Sequence, residues 1–258
     1  MCGVSEPVEL HHRVDGPPDA PVVVLAGPLG TTLDVWAPQA AALANRFRVL
    51  RIDLRGHGDS PVPEPPYRMA DLAGDALAVL DALDIERAAW CGLSLGGMVC
   101  LCVASEQPQR VSRLVLSSTT AGFPDAAPWR DRIAAVAAGG TAAVADSVVS
   151  RWFTPGYAAA HPAEVDTVRE MVVGTDDSGY LGCCQAVEVW DHRARLGAVT
   201  APTLVIGGAH DASTPVQLHT APLAEHIPGA RLEVLDAAHL ANVEQEQEFN
   251  RLVAEHLS

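Results

Sequence analysis

The chain has 258 residues, of which 48% are apolar and 19% charged, and its formal net charge is −15. That composition belongs to a globular protein with a substantial core, not to a disordered chain. The negative charge argues against nucleic acid or an anionic membrane as partner, and the 17 basic residues are all arginines, so lysine chemistry such as Schiff-base formation is excluded.

In chain order, residues 8–14 read as an edge strand. The run Pro21-Val22-Val23-Val24-Leu25-Ala26 ends at Gly27 and suits a strand buried on both faces. A helix is predicted over 34–45 and a strand over 47–54. The loop Arg55-Gly56-His57-Gly58-Asp59-Ser60 and a proline-rich stretch follow. Residues 69–83 form an amphipathic helix, with Leu72, Ala76, Leu80 and Leu83 at helical spacing. A strand at 87–91, a helix at 95–105 and a strand at 111–116 complete the first part. Such alternation predicts a mostly parallel twisted sheet with helices on both faces. From 120 to 196 the alternation stops in favour of alanine-rich helical sequence, interrupted at Gly139-Gly140, Thr154-Pro155-Gly156 and Ser178-Gly179. This stretch reads as a helical lid inserted into a core made of 1–119 and 197–258. Strands at 202–208 and 231–235, with helices at 215–226 and 244–256, restore the pattern.

The six cysteines are Cys2, Cys91, Cys100, Cys102, Cys183 and Cys184. Their spacing gives no C-x-x-C pair and no zinc site, so buried thiols in a reducing cytoplasm are expected. The N-terminus has no signal-peptide pattern, and no apolar run reaches membrane-spanning length.

The strongest chemical signal is Gly92-Leu93-Ser94-Leu95-Gly96. It matches G-x-S-x-G directly after a predicted strand and opens a predicted helix, the context of a nucleophile elbow in the α/β-hydrolase fold. A serine hydroxyl needs a base to take its proton, and the fold supplies an acid and then a histidine further along the chain. Asp211 follows the 202–208 strand and His239 follows the 231–235 strand, so both emerge at the carboxyl edge of the sheet beside Ser94. The strand at 111–116 ends in Ser117-Ser118-Thr119 with no acid, which favours Asp211. Asp236 is read as a turn cap, His210 as a surface or rim residue, and His57 as a loop hydrogen-bonder. His11 and His12 point to opposite faces of a strand and cannot share a metal. For the oxyanion hole, one donor is the N–H of Leu95. The other must come from the loop Gly27-Pro28-Leu29-Gly30; Pro28 has no N–H, and Leu29 is the choice. Within the lid, Trp129, Arg130, Arg132, Trp152, Trp190 and Arg193 are the candidates for substrate contact. An acidic substrate would require at least one of these arginines in the pocket.

The sequence resembles the 3-oxoadipate enol-lactonases. The resemblance is carried by residues 29–36, by 53–60, by Gly92-Leu93-Ser94-Leu95-Gly96-Gly97, by the lid segment Gly179-Tyr180-Leu181-Gly182-Cys183-Cys184-Gln185-Ala186, and by 238–244. The elbow and the R-G-H-G-x-S loop are common to many α/β-hydrolases; the lid segment and residues 29–31 are more specific. The resemblance implies a cofactor-free serine hydrolase that opens an enol-lactone ring, acting on a small-molecule lactone or ester, with no nucleic-acid or membrane partner expected. Some members of that family carry a fused decarboxylase domain; with Ser258 soon after the last predicted helix, none is expected here. Two positions depart from the pattern: Ala26-Gly27-Pro28 opens the oxyanion loop without a polar residue, and Glu188 stands where an arginine is expected. A general carboxylesterase or perhydrolase-like enzyme, and a non-catalytic binding protein of the same fold, remain alternatives.

Overall fold

The computed structural model describes residues 5–258, so Cys2 lies outside the described residues. Seven strands form one sheet: β1 (His12–Asp15), β2 (Val22–Ala26), β3 (Arg48–Ile52), β4 (Ala88–Leu93), β5 (Val111–Ser117), β6 (Thr203–Gly208) and β7 (Arg231–Leu235). Their order is β1-β3-β2-β4-β5-β6-β7, with β1 antiparallel and the others parallel. β4 and β6 are buried at every residue, as expected of strands covered on both faces.

The edge strand starts later than its sequence pattern suggests. Upstream of His12, side chains take the backbone donors: Val8 N–H donates to Asp75 at 2.8 Å and His11 N–H to Ser60 Oγ at 2.9 Å. Pairing with β3 begins only at His12, opposite Ile52.

The helices of the body are α1 (Ala37–Leu43), α2 (Met69–Ala82) and α3 (Leu95–Glu106). Between β5 and β6 come α4 (Ala127–Gly139), α5 (Ala142–Val149), α6 (Pro155–Ala160), α7 (Pro162–Gly174) and α8 (Asp177–Glu188). The chain closes with α9 (Thr220–His226), α10 (Ala241–Glu244) and α11 (Glu246–Leu257). The helix expected over 34–45 splits into a 3-10 turn at Leu33–Trp36, capped by the Thr32 hydroxyl, and α1 with Pro38 in its first turn. Helix α3 is buried from Leu95 to Ser105, so it runs inside the protein and shows no amphipathic period. Helix α11 is amphipathic and buries Phe249, Leu252, Val253 and Leu257.

Sheet order positions the site. β2 lies between β3 and β4, so chain direction across the sheet reverses at the β2/β4 pair, where Ala26 faces Gly92. A crevice opens at the carboxyl ends of strands at such a reversal. The loop after β2 and the turn after β4 therefore meet.

Helix α8 explains its own unusual sequence. A Cβ on Gly179 would sit 2.4 Å from the Gly56 carbonyl oxygen, and one on Gly182 would sit 2.5 Å from the Tyr67 ring. The small residues let this helix lie directly on the loop after β3. Cys183 joins the same contact, its Sγ 3.7 Å from the Arg55 carbonyl; Cys184 is buried too, and that burial pushes its thiol up to about 12. The five described cysteines are free and buried. Among the described residues, no helix is long and apolar enough to cross a membrane.

Candidate active site

Ser94 sits between β4 and α3 with φ 55° and ψ −115°. A non-glycine residue at positive φ is strained and must be held by its surroundings. Here the Ser94 backbone is held from both sides: its N–H donates to Ser117 O at 3.0 Å, and the Thr119 side-chain Oγ1 donates to Ser94 O at 2.7 Å. The flanking glycines permit the turn. A Cβ on Gly92 would fall 2.3 Å from Gly96 O, and one on Gly96 would fall 2.0 Å from Ala26 O. The Gly96 N–H donates to Gly27 O at 3.0 Å, tying the elbow to the loop after β2. Leu95 is the first residue of α3, where backbone N–H groups lack partners within the helix.

His239 and Asp211 lie on neighbouring loops after β7 and β6. Gly208 lets these loops cross, because a Cβ there would meet Ala238 O at 2.1 Å. His239 Nδ1 and Asp211 Oδ2 are 2.8 Å apart, both side chains almost wholly buried. Asp211 Oδ1 also accepts from the N–H groups of Ser213 (2.8 Å) and Thr214 (2.9 Å), and Oδ2 accepts from the Thr214 hydroxyl at 2.6 Å. Burial by itself would raise the Asp211 pKa. The His239 charge and hydrogen bond, with the Thr214 donors, outweigh it and hold the carboxyl at about 2. The carboxylate therefore stays ionised and acceptor-only at neutral pH, which directs the His239 Nδ1 proton toward it. Trp152 stacks on the His239 ring at 6.0 Å between centroids, and its carbonyl accepts the Leu240 N–H at 3.0 Å.

Ser94 and His239 open on one cavity of about 240 Å³ with Leu29 and Thr214 on its sheet side. Its other wall is Phe123, Asp125, Pro128, Trp129, Arg132, Arg151 and Trp152. Of the expected lid contacts, Trp129, Arg132 and Trp152 line this cavity. Arg130 does not. On α4, positions 129, 132 and 136 share one face, and Arg130 is turned off it toward Glu188, 3.7 Å away. Trp190 is also outside; its ring stacks on His192 at 4.6 Å and its N–H donates to Thr120 O at 2.9 Å. Arg193 is paired with Asp191 on the surface.

Arg151 is not among the sequence candidates, although its neighbour Trp152 is; the structure places both in the turn between α5 and α6. Neither cavity arginine has a carboxylate within 4.0 Å among the described residues. Arg132 lies over the Trp129 ring at 4.6 Å. Arg151 is exposed overall; partial burial of its guanidinium, and next the Arg132 charge, lower its pKa. Asp125, on the same wall, caps α4 by accepting the Ala127 N–H at 2.8 Å. Cys183 and Cys184 are not in the cavity wall.

The remaining histidines have local partners. His210 Nε2 pairs with Asp236 Oδ1 at 2.8 Å on the exposed rim, so the Asp236 side chain partners His210 where a turn cap was expected. His11 meets Asp53 at 2.7 Å, and His12 meets the Leu10 carbonyl at 3.0 Å. His57 is buried among loop hydrogen bonds.

Residues 20–246 match the model of the alpha/beta hydrolase fold. The chain belongs to that family. It is 36% identical to 3-oxoadipate enol-lactonase 2 of Acinetobacter baylyi over 96% of this chain and 93% of the relative. It superposes on the crystal structure of the enol-lactonase from Burkholderia xenovorans LB400 with a TM-score of 0.94, at 40% identity and 96% coverage of both chains. A Variovorax paradoxus relative, provisionally named the carbamate hydrolase RutD, is 33% identical over 96% of each chain. The alpha/beta hydrolase assignment is thus firm, and similarity extends to relatives named for more than one substrate.

Proposed function

We propose that this chain is a serine hydrolase that opens a carboxylate-bearing enol-lactone, 3-oxoadipate enol-lactone being the leading substrate. Ser94 is the nucleophile, His239 the general base and then acid, and Asp211 the group that orients His239 and stabilises its charged form. The observation that carries the substrate class is the pair Arg132 and Arg151, without carboxylate partners, on the wall of the cavity that holds Ser94. Guanidinium groups suit a carboxylate, and a bound anion would relieve their mutual repulsion.

In the proposed course, Ser94 Oγ attacks the ring carbonyl carbon as its proton passes to His239 Nε2. The developing oxyanion is held by the N–H groups of Leu95 and Leu29. The bond from that carbon to the ring oxygen then breaks. The ring oxygen leaves as an enol, taking the proton back from His239, and tautomerises to the ketone. Water, deprotonated by His239, attacks the acyl–Ser94 ester; the acyl–Oγ bond breaks, Ser94 Oγ takes the proton back from His239, and the acid is freed. This chemistry requires no metal or organic cofactor. Trp129 and Trp152 pack the ring, and helices α4–α8 act as the lid within residues 120–196. The role fits aromatic-compound catabolism in a reducing cytoplasm, where buried thiols persist.

The test is spectrophotometric loss of the lactone, with Ser94→Ala and a neutral p-nitrophenyl ester alongside. Ser94-dependent lactone turnover well above the ester rate supports the reading. Fast ester cleavage without lactone turnover replaces it with a general carboxylesterase.

A further inference from the structure

The loop after β2 must present one N–H toward Ser94 and keep the others occupied. Between Pro28 and Thr31 it has three. Thr31 N–H closes a turn onto Pro28 O at 3.2 Å. Gly30 N–H donates to His57 Nε2 at 2.8 Å. Leu29 N–H is the one left over, and Leu29 lines the cavity with Ser94.

The Gly30 contact fixes the state of His57. A backbone N–H can only donate, so Nε2 is unprotonated and the ring proton is on Nδ1, where the Arg55 carbonyl accepts it at 3.1 Å. Both ring nitrogens are then satisfied by backbone, and the ring is 1% exposed. Burial lowers the His57 pKa against the opposing pull of the Arg55 carbonyl and the Asp53 charge, which is consistent with a neutral ring. Gly30 itself has φ +83°, and a Cβ there would press on Tyr180 and Val172. The loop is therefore held from three sides: Gly27 O by Gly96 N–H, Gly30 N–H by His57, and Gly30 Cα by the helical insertion.

We propose that His57 is a positioning residue for the oxyanion hole: its neutral imidazole anchors the Gly30 N–H and so aims the adjacent Leu29 N–H at the developing oxyanion. The inference rests on the reading of Ser94 as nucleophile. His57 never touches substrate. Its acceptor replaces the water that would otherwise solvate the Gly30 N–H, and that replacement keeps one loop conformation populated.

The test compares His57→Leu and His57→Gln with the parent and with Ser94→Ala, using p-nitrophenyl acetate and thermal unfolding. Leucine removes the acceptor, whereas the glutamine Oε1 reaches the Nε2 position. Loss of an oxyanion donor lowers kcat while leaving ground-state binding alone, so His57→Leu should lose roughly ten- to a hundred-fold in kcat with KM within about three-fold. His57→Gln should recover most of that loss. Equal losses in the two variants, a change confined to KM, or an unchanged kcat in His57→Leu would overturn the proposal. If His57→Leu shows no cooperative unfolding, His57→Asn takes its place with the same expectations, being too short to reach the Gly30 N–H. Activity that survives Ser94→Ala would instead count against the nucleophile reading itself.

Discussion

The two walls of the cavity are built by different means. On the sheet wall the chain itself is what is held: the Ser94 backbone is pinned by Ser117 O and the Thr119 hydroxyl, and Gly92, Gly96 and Gly208 admit chain crossings that any Cβ would block. On the helical wall, Trp129, Arg132 and Arg151 reach the cavity as side chains on or between helices that pack largely on one another. The first construction tolerates almost no substitution. The second can change its residues without moving its backbone. On the proposed function, reaction chemistry falls to one wall and substrate choice to the other, so variants on the two walls should fail in different ways.

The largest expected effect is on the sheet wall. Ser94→Ala should lower kcat by roughly four to six powers of ten with the fold intact, as in other triads, measured by steady-state turnover and thermal unfolding together. A loss under about a hundred-fold would mean that Ser94 is not the nucleophile. Asp211→Asn comes next, at roughly three to four powers of ten, because the amide no longer favours the required His239 tautomer. Its pH behaviour is a second check. The Asp211 carboxyl falls from an ordinary 3.8 to about 2 in the folded protein, so its stabilisation is complete above pH 3.8 and disappears as the pH drops through about 2. The gap in melting temperature between parent and Asp211→Asn should shrink as the pH falls from about 4 toward 2. A gap that closes already by pH 5 would contradict that assignment.

The same contrast explains what could be read in the sequence. The sheet wall is written in local signals: a buried apolar run, G-x-S-x-G, an acid three residues past a strand, a histidine four past the next. Each is fixed by chain connectivity, so Ser94, Asp211 and His239 could be named and their neighbourhood anticipated. Of the helical wall, the existence was legible and the facing was not. Helix α4 buries only Val136, so its pattern gives no strong period to say that Arg132 faces in and Arg130 faces out. Arg151 and Trp190 lie outside regular helix, where no period applies at all. The Gly179 and Gly182 spacing was visible as a motif, but its purpose, backbone contact with Gly56 and ring contact with Tyr67, is long-range. The bond from Gly30 to His57 is long-range too.

On the helical wall, removing a cavity cation should spare the chemistry. Arg132→Gln or Arg151→Gln should raise KM for the carboxylate-bearing lactone roughly ten- to a hundred-fold, the loss of one charge-assisted contact. With a neutral p-nitrophenyl ester the same variants should stay within about three-fold of the parent. Equal losses on both substrates would show that the arginines support the wall rather than bind an anion.

The smallest expected effect gives the comparison its control. Arg130 is two residues from Arg132, carries the same charge and lies on the same helix, but its side chain is 58% exposed and faces Glu188 at 3.7 Å. Exposed pairs of this kind contribute between about 0 and 1 kcal/mol, and solvent screening puts this one at the low end. Long-range attraction of an anion would not separate the two arginines, because both charges sit on one short helix. Contact would separate them. Arg130→Gln should therefore leave KM for the lactone within about two-fold and the melting temperature nearly unchanged, while Arg132→Gln does not. If both variants raise KM alike and the effect fades with added salt, the helical wall works as a diffuse positive field and not as a carboxylate clamp.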